Sequence, residues 1–78
     1  MDNLKIYKEA YIEAFEINED SLEKLKYQSI KQWDSVGHMV LMSALEEKFD
    51  IMLEMDDIID FSSFERGKEI LSKYDVII

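Results

Sequence analysis

Ser35 is the residue of this chain whose position best supports chemistry, because it stands between an acid, Asp34, and an apolar residue, Val36, where a polar stretch gives way to an apolar one. The pattern predicts that Ser35 lies in the first turn of a helix. A serine at such a position can act as a nucleophile, can carry a covalently attached group, or can be an ordinary first-turn residue behind an Asp34 N-cap.

Catalysis requires a base, and His38 follows Ser35 by three residues, so the two side chains can face each other on a helix. His38 is the only histidine, and residues 33–37 retain one glycine of the nucleophile-elbow pattern. No orienting acid or oxyanion hole is recognisable. His38 also projects toward the core side of its helix, which favours a packed histidine. We therefore expect no enzyme activity.

Calcium binding is a second possibility, because acids crowd residues 54–65. Aligned with the EF-hand loop, this segment has Ile58 where an oxygen ligand belongs and Ile59 where the sharp turn needs glycine. We therefore expect no specific metal site, although diffuse cation binding stays open on charge grounds.

Composition bounds the remaining classes. The 78 residues, 1–78, make one small domain. The absence of cysteine excludes disulfides, a thiolate zinc site and a cysteine nucleophile, and the absence of proline favours helices. No run approaches the roughly 20 apolar residues of a membrane span, and the first residues lack a secretory pattern, so we expect a cytoplasmic protein.

The charge is acidic and concentrated. Eighteen acids against nine bases give a net charge of −9, which speaks against binding nucleic acid through its phosphates. Residues 46–60 hold seven acids and one base. This segment is either a solvated face or a docking surface for basic partners.

Apolar periodicity predicts the elements that position Ser35. We expect helices over Asn3–Phe15, capped by Asp2 or Asn3, and over Ser35–Phe49, followed by a short acidic piece at Met55–Asp60. A last helix follows a capping box in which Ser62 caps and Glu65 reaches back. Residues 16–33 form a long connection that packs down, with one helical turn near residues 21–26. The sum is an all-α bundle.

The helix that begins at Ser35 has two apolar faces. Leu41, Met42, Leu45 and Phe49 share the face that we expect to point to the core. Val36, Met39 and Val40 fall on the other side, beside Ser35. Such an exposed apolar cluster marks contact sites more often than chance.

Covalent modification of Ser35 accounts for this arrangement. A phosphodiester at a helix N-terminus is stabilised by free backbone N–H groups and by the helix dipole. Gly37 is a poor helix former, but we expect it to leave space beside the serine. The apolar patch then lies where a modifying enzyme would bind.

The run Asp34-Ser35-Val36, with Trp33 before it and residues 37–39 and 44–51 after it, resembles the acyl carrier protein family. The match extends more loosely through residues 56–58 to Leu71, and over the first thirty residues it is limited to the helix pattern. That family carries 4′-phosphopantetheine on the serine of an Asp-Ser-Leu motif. Its fold is a four-helix bundle with a short third helix and a long first connection.

The resemblance implies a role for each matching residue. Ser35 would carry 4′-phosphopantetheine from coenzyme A, and Asp34 would be its motif partner. Val36 would be the residue that partner enzymes grip, beside Met39 and Val40. The implied acidic recognition surface consists of Glu46, Glu47, Asp56 and Asp57.

The implied partners are a phosphopantetheinyl transferase and acyl- or aminoacyl-transfer enzymes with basic surfaces, and we expect the chain to be a monomer. Val40 stands where many fatty-acid carriers have glutamate, which favours a specialised carrier over a housekeeping one. Four methionines, Met39, Met42, Met52 and Met55, either shelter the carried group or simply fill gaps. The alternative function is an unmodified acidic helical module that binds other proteins.

Overall fold

The computed structural model describes residues 2–78 and is all-helical over them; Met1, the first residue of the expected domain, lies outside the described residues. The elements are α1 (Asn3–Phe15), a 3₁₀ helix (Glu19–Lys24), α2 (Ser35–Phe49), α3 (Met55–Asp60) and α4 (Phe64–Ser72). Three principal helices with a short one before the last are thus confirmed. Their assembly as a four-helix bundle stays a prediction.

The limits of α1 and α2 follow from local capping. The Asp2 carboxylate accepts the Leu4 N–H at 3.1 Å, and the Asp34 carboxylate accepts the Gly37 N–H at 2.8 Å. Glu16 and Asp50 end these helices in the left-handed conformation, each with a φ of 53°. Of the two caps that the sequence allowed for α1, Asp2 or Asn3, the structure has Asp2, and Asp34 caps α2 as one interpretation of its position suggested.

The start of α4 corrects one prediction. Ser63, not Ser62, is the N-cap, and its hydroxyl accepts the Arg66 N–H at 2.9 Å. The Ser62 carbonyl accepts the Tyr27 N–H at 2.8 Å, so this segment pairs with the long connection and stays extended for one more residue. Glu65 pairs with Lys68 at 3.3 Å rather than reaching back to the cap.

An aromatic core joins α1 to the rest of the chain. Tyr7, Tyr11 and Phe15 follow one another at four-residue spacing and are buried. The Tyr7 hydroxyl donates to the Phe64 carbonyl at 2.6 Å, which ties α1 to the start of α4. Trp33 packs edge-on to Tyr11 with ring centroids 5.7 Å apart. Burial raises the pKa of Tyr7, because the phenolate would lose its hydration.

The long connection packs down as predicted. Leu22, Leu25 and Trp33 are buried, and the Phe64 N–H donates to the Leu25 carbonyl at 2.9 Å. These contacts hold the connection against the junction of α3 and α4, and they bring Tyr27 close to the start of α2. None of the helices formed by residues 2–78 has the length and apolar character needed to cross a bilayer.

Candidate functional site

Ser35 is the first residue of α2 and is exposed to solvent. Asp34 precedes it as the N-cap, with its carboxylate bound to the Gly37 N–H. Asp34 therefore stabilises the first turn of α2, and in this way it fixes the position of Ser35.

Gly37 lies tightly against the backbone of Gln32, whereas we expected it to leave open space beside Ser35. A Cβ at this position would overlap the Gln32 carbonyl oxygen and would come within 3.3 Å of the Phe15 ring. The space at Gly37 is thus filled by the chain's own backbone and core, not left open beside Ser35. Gly37 lets the connection pack against the first turn of α2.

Tyr27 is a site residue that the sequence did not reveal. Its hydroxyl lies 3.2 Å from the Ser35 Oγ, within hydrogen-bond distance. The Tyr27 ring meets the His38 ring edge-on, with centroids 5.4 Å apart, and the Trp33 ring in the same manner at 6.5 Å. The contact depends on how the connection turns back toward α2, so no local sequence signal predicts it.

His38 links α2 to α3, which confirms the expectation of a packed histidine. Its Nδ1 accepts the Trp33 indole N–H at 2.9 Å, and its Nε2 lies 2.7 Å from the Ile58 carbonyl oxygen. Because an indole N–H can only donate, Nδ1 carries no proton and Nε2–H donates to Ile58. Both ring nitrogens are therefore engaged away from Ser35, and the two residues do not form a nucleophile–base pair.

A cleft of about 400 Å³ opens beside Ser35. It lies between the start of α2, the α3 segment and the long connection. Its lining is mainly apolar and aromatic, and consists of Tyr27, Ser35, His38, Met39, Met55, Ile58, Ile59, Phe61 and Ser62. A volume of this order falls within the usual range of small-molecule sites.

The four methionines that could shelter a carried group or fill gaps lie in three different settings. Met39 and Met55 line the cleft, whereas Met42 is buried in the core. Met52 is 84% exposed and does not line the cleft. Only two of the four could therefore adapt to a group held beside Ser35.

A second apolar surface lies on the outward face of α2. Val36 is 73% exposed, Met39 49% and Val40 48%, so the predicted patch is present. These residues and Ser43 form a shallow recess that Ser35 also borders. Ser35 thus stands between the cleft and this outward patch.

The acids that were predicted to face partners fall into two groups. Glu47 and Asp56 are exposed. The Glu46 carboxylate instead accepts the Leu53 N–H at 2.8 Å and holds the α2–α3 loop. Of these three acids, only Glu47 and Asp56 are fully available to meet a partner's basic side chains.

Asp57 is only 8% exposed, so it is not part of an open acidic surface. Its carboxylate binds the Lys73 ammonium and the Tyr74 hydroxyl, each at 2.5 Å. Both hydrogen bonds lower the pKa of Asp57, and the one from Lys73 has the larger effect. A carboxylate this shielded from water requires hydrogen-bond partners. Because its partners follow α4 directly, Asp57 joins α3 to the end of α4.

No group of three or more histidine, aspartate or glutamate side chains in residues 2–78 is arranged to hold a metal ion. Comparisons of this chain with protein-family models, with curated proteins and with solved structures give no match.

Proposed function

We propose that this chain is a carrier protein that holds acyl or aminoacyl groups on a 4′-phosphopantetheine arm attached to Ser35. The observation that carries the proposal is the position of the Ser35 hydroxyl, exposed at the start of α2 between an apolar cleft and an apolar outward patch. The resemblance of residues 33–51 to the acyl carrier protein family supports it. When attached, the arm supplies a thiol that forms thioesters.

The residues present fit such an arm. The Ser35 hydroxyl is accessible to an enzyme, and the adjoining cleft offers an apolar wall with one phenol at its edge. In loading, the Ser35 oxygen attacks the pantetheine-side phosphorus of coenzyme A. The phosphorus–oxygen bond to the nucleotide half breaks, adenosine 3′,5′-bisphosphate leaves, and the serine proton passes to a base of the transferase.

The chain's own residues would then position the arm and recognise partners. The Asp34 cap fixes the first turn, and Val36, Met39 and Val40 give an apolar contact for the transferase and for later enzymes. Glu47 and Asp56 would meet basic side chains of those partners. Because the residues nearest Ser35 on the outward face are apolar, we favour a specialised carrier over a housekeeping fatty-acid carrier.

The proposed architecture is the four-helix bundle of the family, with α3 as the short third helix. The cleft against α3 supports the idea that a carried group is sheltered beside Ser35, with Met39 and Met55 as its adaptable walls. Delivery then works by tethering, because the arm raises the effective concentration of the group at each partner's active site.

A second candidate is an unmodified acidic module that binds other proteins. The exposure of Val36 and Glu47 on α2 favours it, since these residues would serve docking equally well without an arm. It gives no reason for an accessible serine between the two apolar surfaces.

Incubation with coenzyme A and a broad-range phosphopantetheinyl transferase separates the two candidates. Intact mass should increase by one phosphopantetheine group in the wild type and in Ser43→Ala, a matched loss of an exposed serine in the same helix. Ser35→Ala should stay unchanged. No increase in the wild type, while a known carrier is loaded alongside, supports the unmodified module.

A further inference from the structure

The Tyr27 hydroxyl lies 3.2 Å from the Ser35 Oγ, the atom that would carry the arm. We propose that Tyr27 binds the phosphodiester of the arm on Ser35 and thereby directs the arm into the cleft rather than across the outward patch. This inference rests on the proposed function, and it assigns Tyr27 as a positioning residue for the attached group.

The position of the phenol is fixed before any group is attached. The Tyr27 N–H is bound to the Ser62 carbonyl at 2.8 Å, which anchors the backbone to the junction of α3 and α4. Its ring is held edge-on by the rings of His38 and Trp33, which are themselves joined by a hydrogen bond. A donor that is already oriented loses little conformational entropy on binding.

The chemistry of the contact changes when Ser35 is esterified. In the free protein either hydroxyl can be the donor. A phosphodiester on the Ser35 Oγ has no proton to donate, and its charged oxygens are two bonds away from the Oγ that Tyr27 already reaches. The phenol must then donate, and a hydrogen bond to a charged acceptor is about twice as strong as one between neutral groups.

The side of Ser35 on which Tyr27 lies determines the direction of the arm. Ser35 borders both apolar surfaces, but Tyr27 lines only the cleft, together with Met55 and Ile59 of α3. Tyr27 does not line the outward patch around Val36 and Val40. A phosphodiester held by Tyr27 therefore starts the arm toward the cleft and leaves the outward patch free for partners.

The test compares three loaded proteins: the wild type, Tyr27→Phe and Ser62→Ala. Tyr27→Phe keeps the ring and removes the hydroxyl. Ser62→Ala is the matched control, because it removes a different hydroxyl from the same cleft. The readouts are the ³¹P NMR shift of the single phosphodiester and the rate at which the arm's thiol reacts with an aromatic disulfide.

Tyr27→Phe should move the ³¹P resonance and raise the thiol reaction rate by at least about threefold. This is the size of effect expected from losing a partly exposed hydrogen bond to a charged group, because the arm then leaves the cleft more often. Ser62→Ala should match the wild type in both readouts. A ³¹P shift and thiol rate in Tyr27→Phe equal to those of the wild type overturn the role of Tyr27 while leaving the carrier function intact. A wild type that accepts no arm overturns both.

Discussion

The Trp33 indole N–H donates a 2.9 Å hydrogen bond to the Nδ1 of His38, and this one bond fixes the protonation pattern of the imidazole. The opposite nitrogen, Nε2, is then free to donate to the Ile58 carbonyl of α3. The buried tryptophan of the long connection and the short helix α3 are thus joined through a single residue of α2. Because His38 and Ile58 both line the cleft, the same bonds hold its walls together.

The two hydrogen bonds of the His38 ring predict the Nε2–H tautomer in the folded protein. Long-range ¹⁵N–¹H spectra of the imidazole distinguish this tautomer directly. His38→Leu should lower the free energy of unfolding by about 1–3 kcal/mol, because it leaves the Trp33 N–H and the Ile58 carbonyl without their partner. Ser43→Ala, at an exposed position of the same helix, should change stability little. An Nδ1–H tautomer would contradict the hydrogen-bond assignment.

Asp57 predicts a loss of stability in acid. Its folded-state pKa is lowered by Lys73 and Tyr74, so its contribution is complete above the ordinary aspartate pKa of ~3.9 and is lost as the pH falls through the lower folded value. Asp57→Asn should be less stable than the wild type at pH 6, and urea titrations should show this difference shrinking below about pH 4. Asp56→Asn is the control, since Asp56 is exposed. A difference that does not depend on pH would show that the charge of Asp57 is unimportant.

The parts of the fold set by local signals were predictable from the sequence. The limits Asn3–Phe15 and Ser35–Phe49 were expected and are found, because apolar residues recur at helical spacing and an aspartate caps each start. The cap of α4 was misplaced by one residue. There the choice between Ser62 and Ser63 is made by pairing with the distant connection.

The site was predictable only where it depends on α2 itself. The exposure of Val36 beside Ser35 follows from the helical period alone. The Tyr27 contact with Ser35 and the Asp57 pair with Lys73 join segments that are separate in sequence, so they depend on how the connection and α4 fold back. Charge density therefore suggested a wider acidic surface than the structure presents.

Gly37 predicts an exception to helix propensity. Alanine is favoured over glycine in a helix interior by about 1 kcal/mol. At Gly37 its methyl group would overlap the Gln32 carbonyl, so Gly37→Ala should instead lower stability by about 1–3 kcal/mol. Ser43→Ala, exposed in the same helix, should be neutral or stabilising by a few tenths of a kcal/mol. Thermal unfolding measures both, and a stabilised Gly37→Ala would refute the close approach.

We expect Glu47 to affect docking and its neighbour Glu46 to affect stability. Glu47→Lys should reduce kcat/KM for loading by a basic transferase by about two- to tenfold at low salt, with the loss shrinking as salt is added. Its melting temperature should not fall, because Glu47 is exposed. Glu46→Lys should lower the melting temperature, since it removes the acceptor of the Leu53 N–H.

Glu23→Lys is the control for charge, because it makes the same change at an exposed residue of the 3₁₀ helix. If Glu23→Lys slows loading as much as Glu47→Lys, net charge and not a surface on α2 governs the association.

The central claim is that Ser35 carries the arm, and fragment mass spectrometry after loading tests it most directly. The wild type, incubated with coenzyme A and a broad-range transferase, is digested, and the peptide that contains Ser35 is fragmented. The carrier function predicts one added phosphopantetheine group, localised to Ser35 and absent from Ser35→Ala. An unmodified peptide, under conditions that fully load a known carrier, would contradict it.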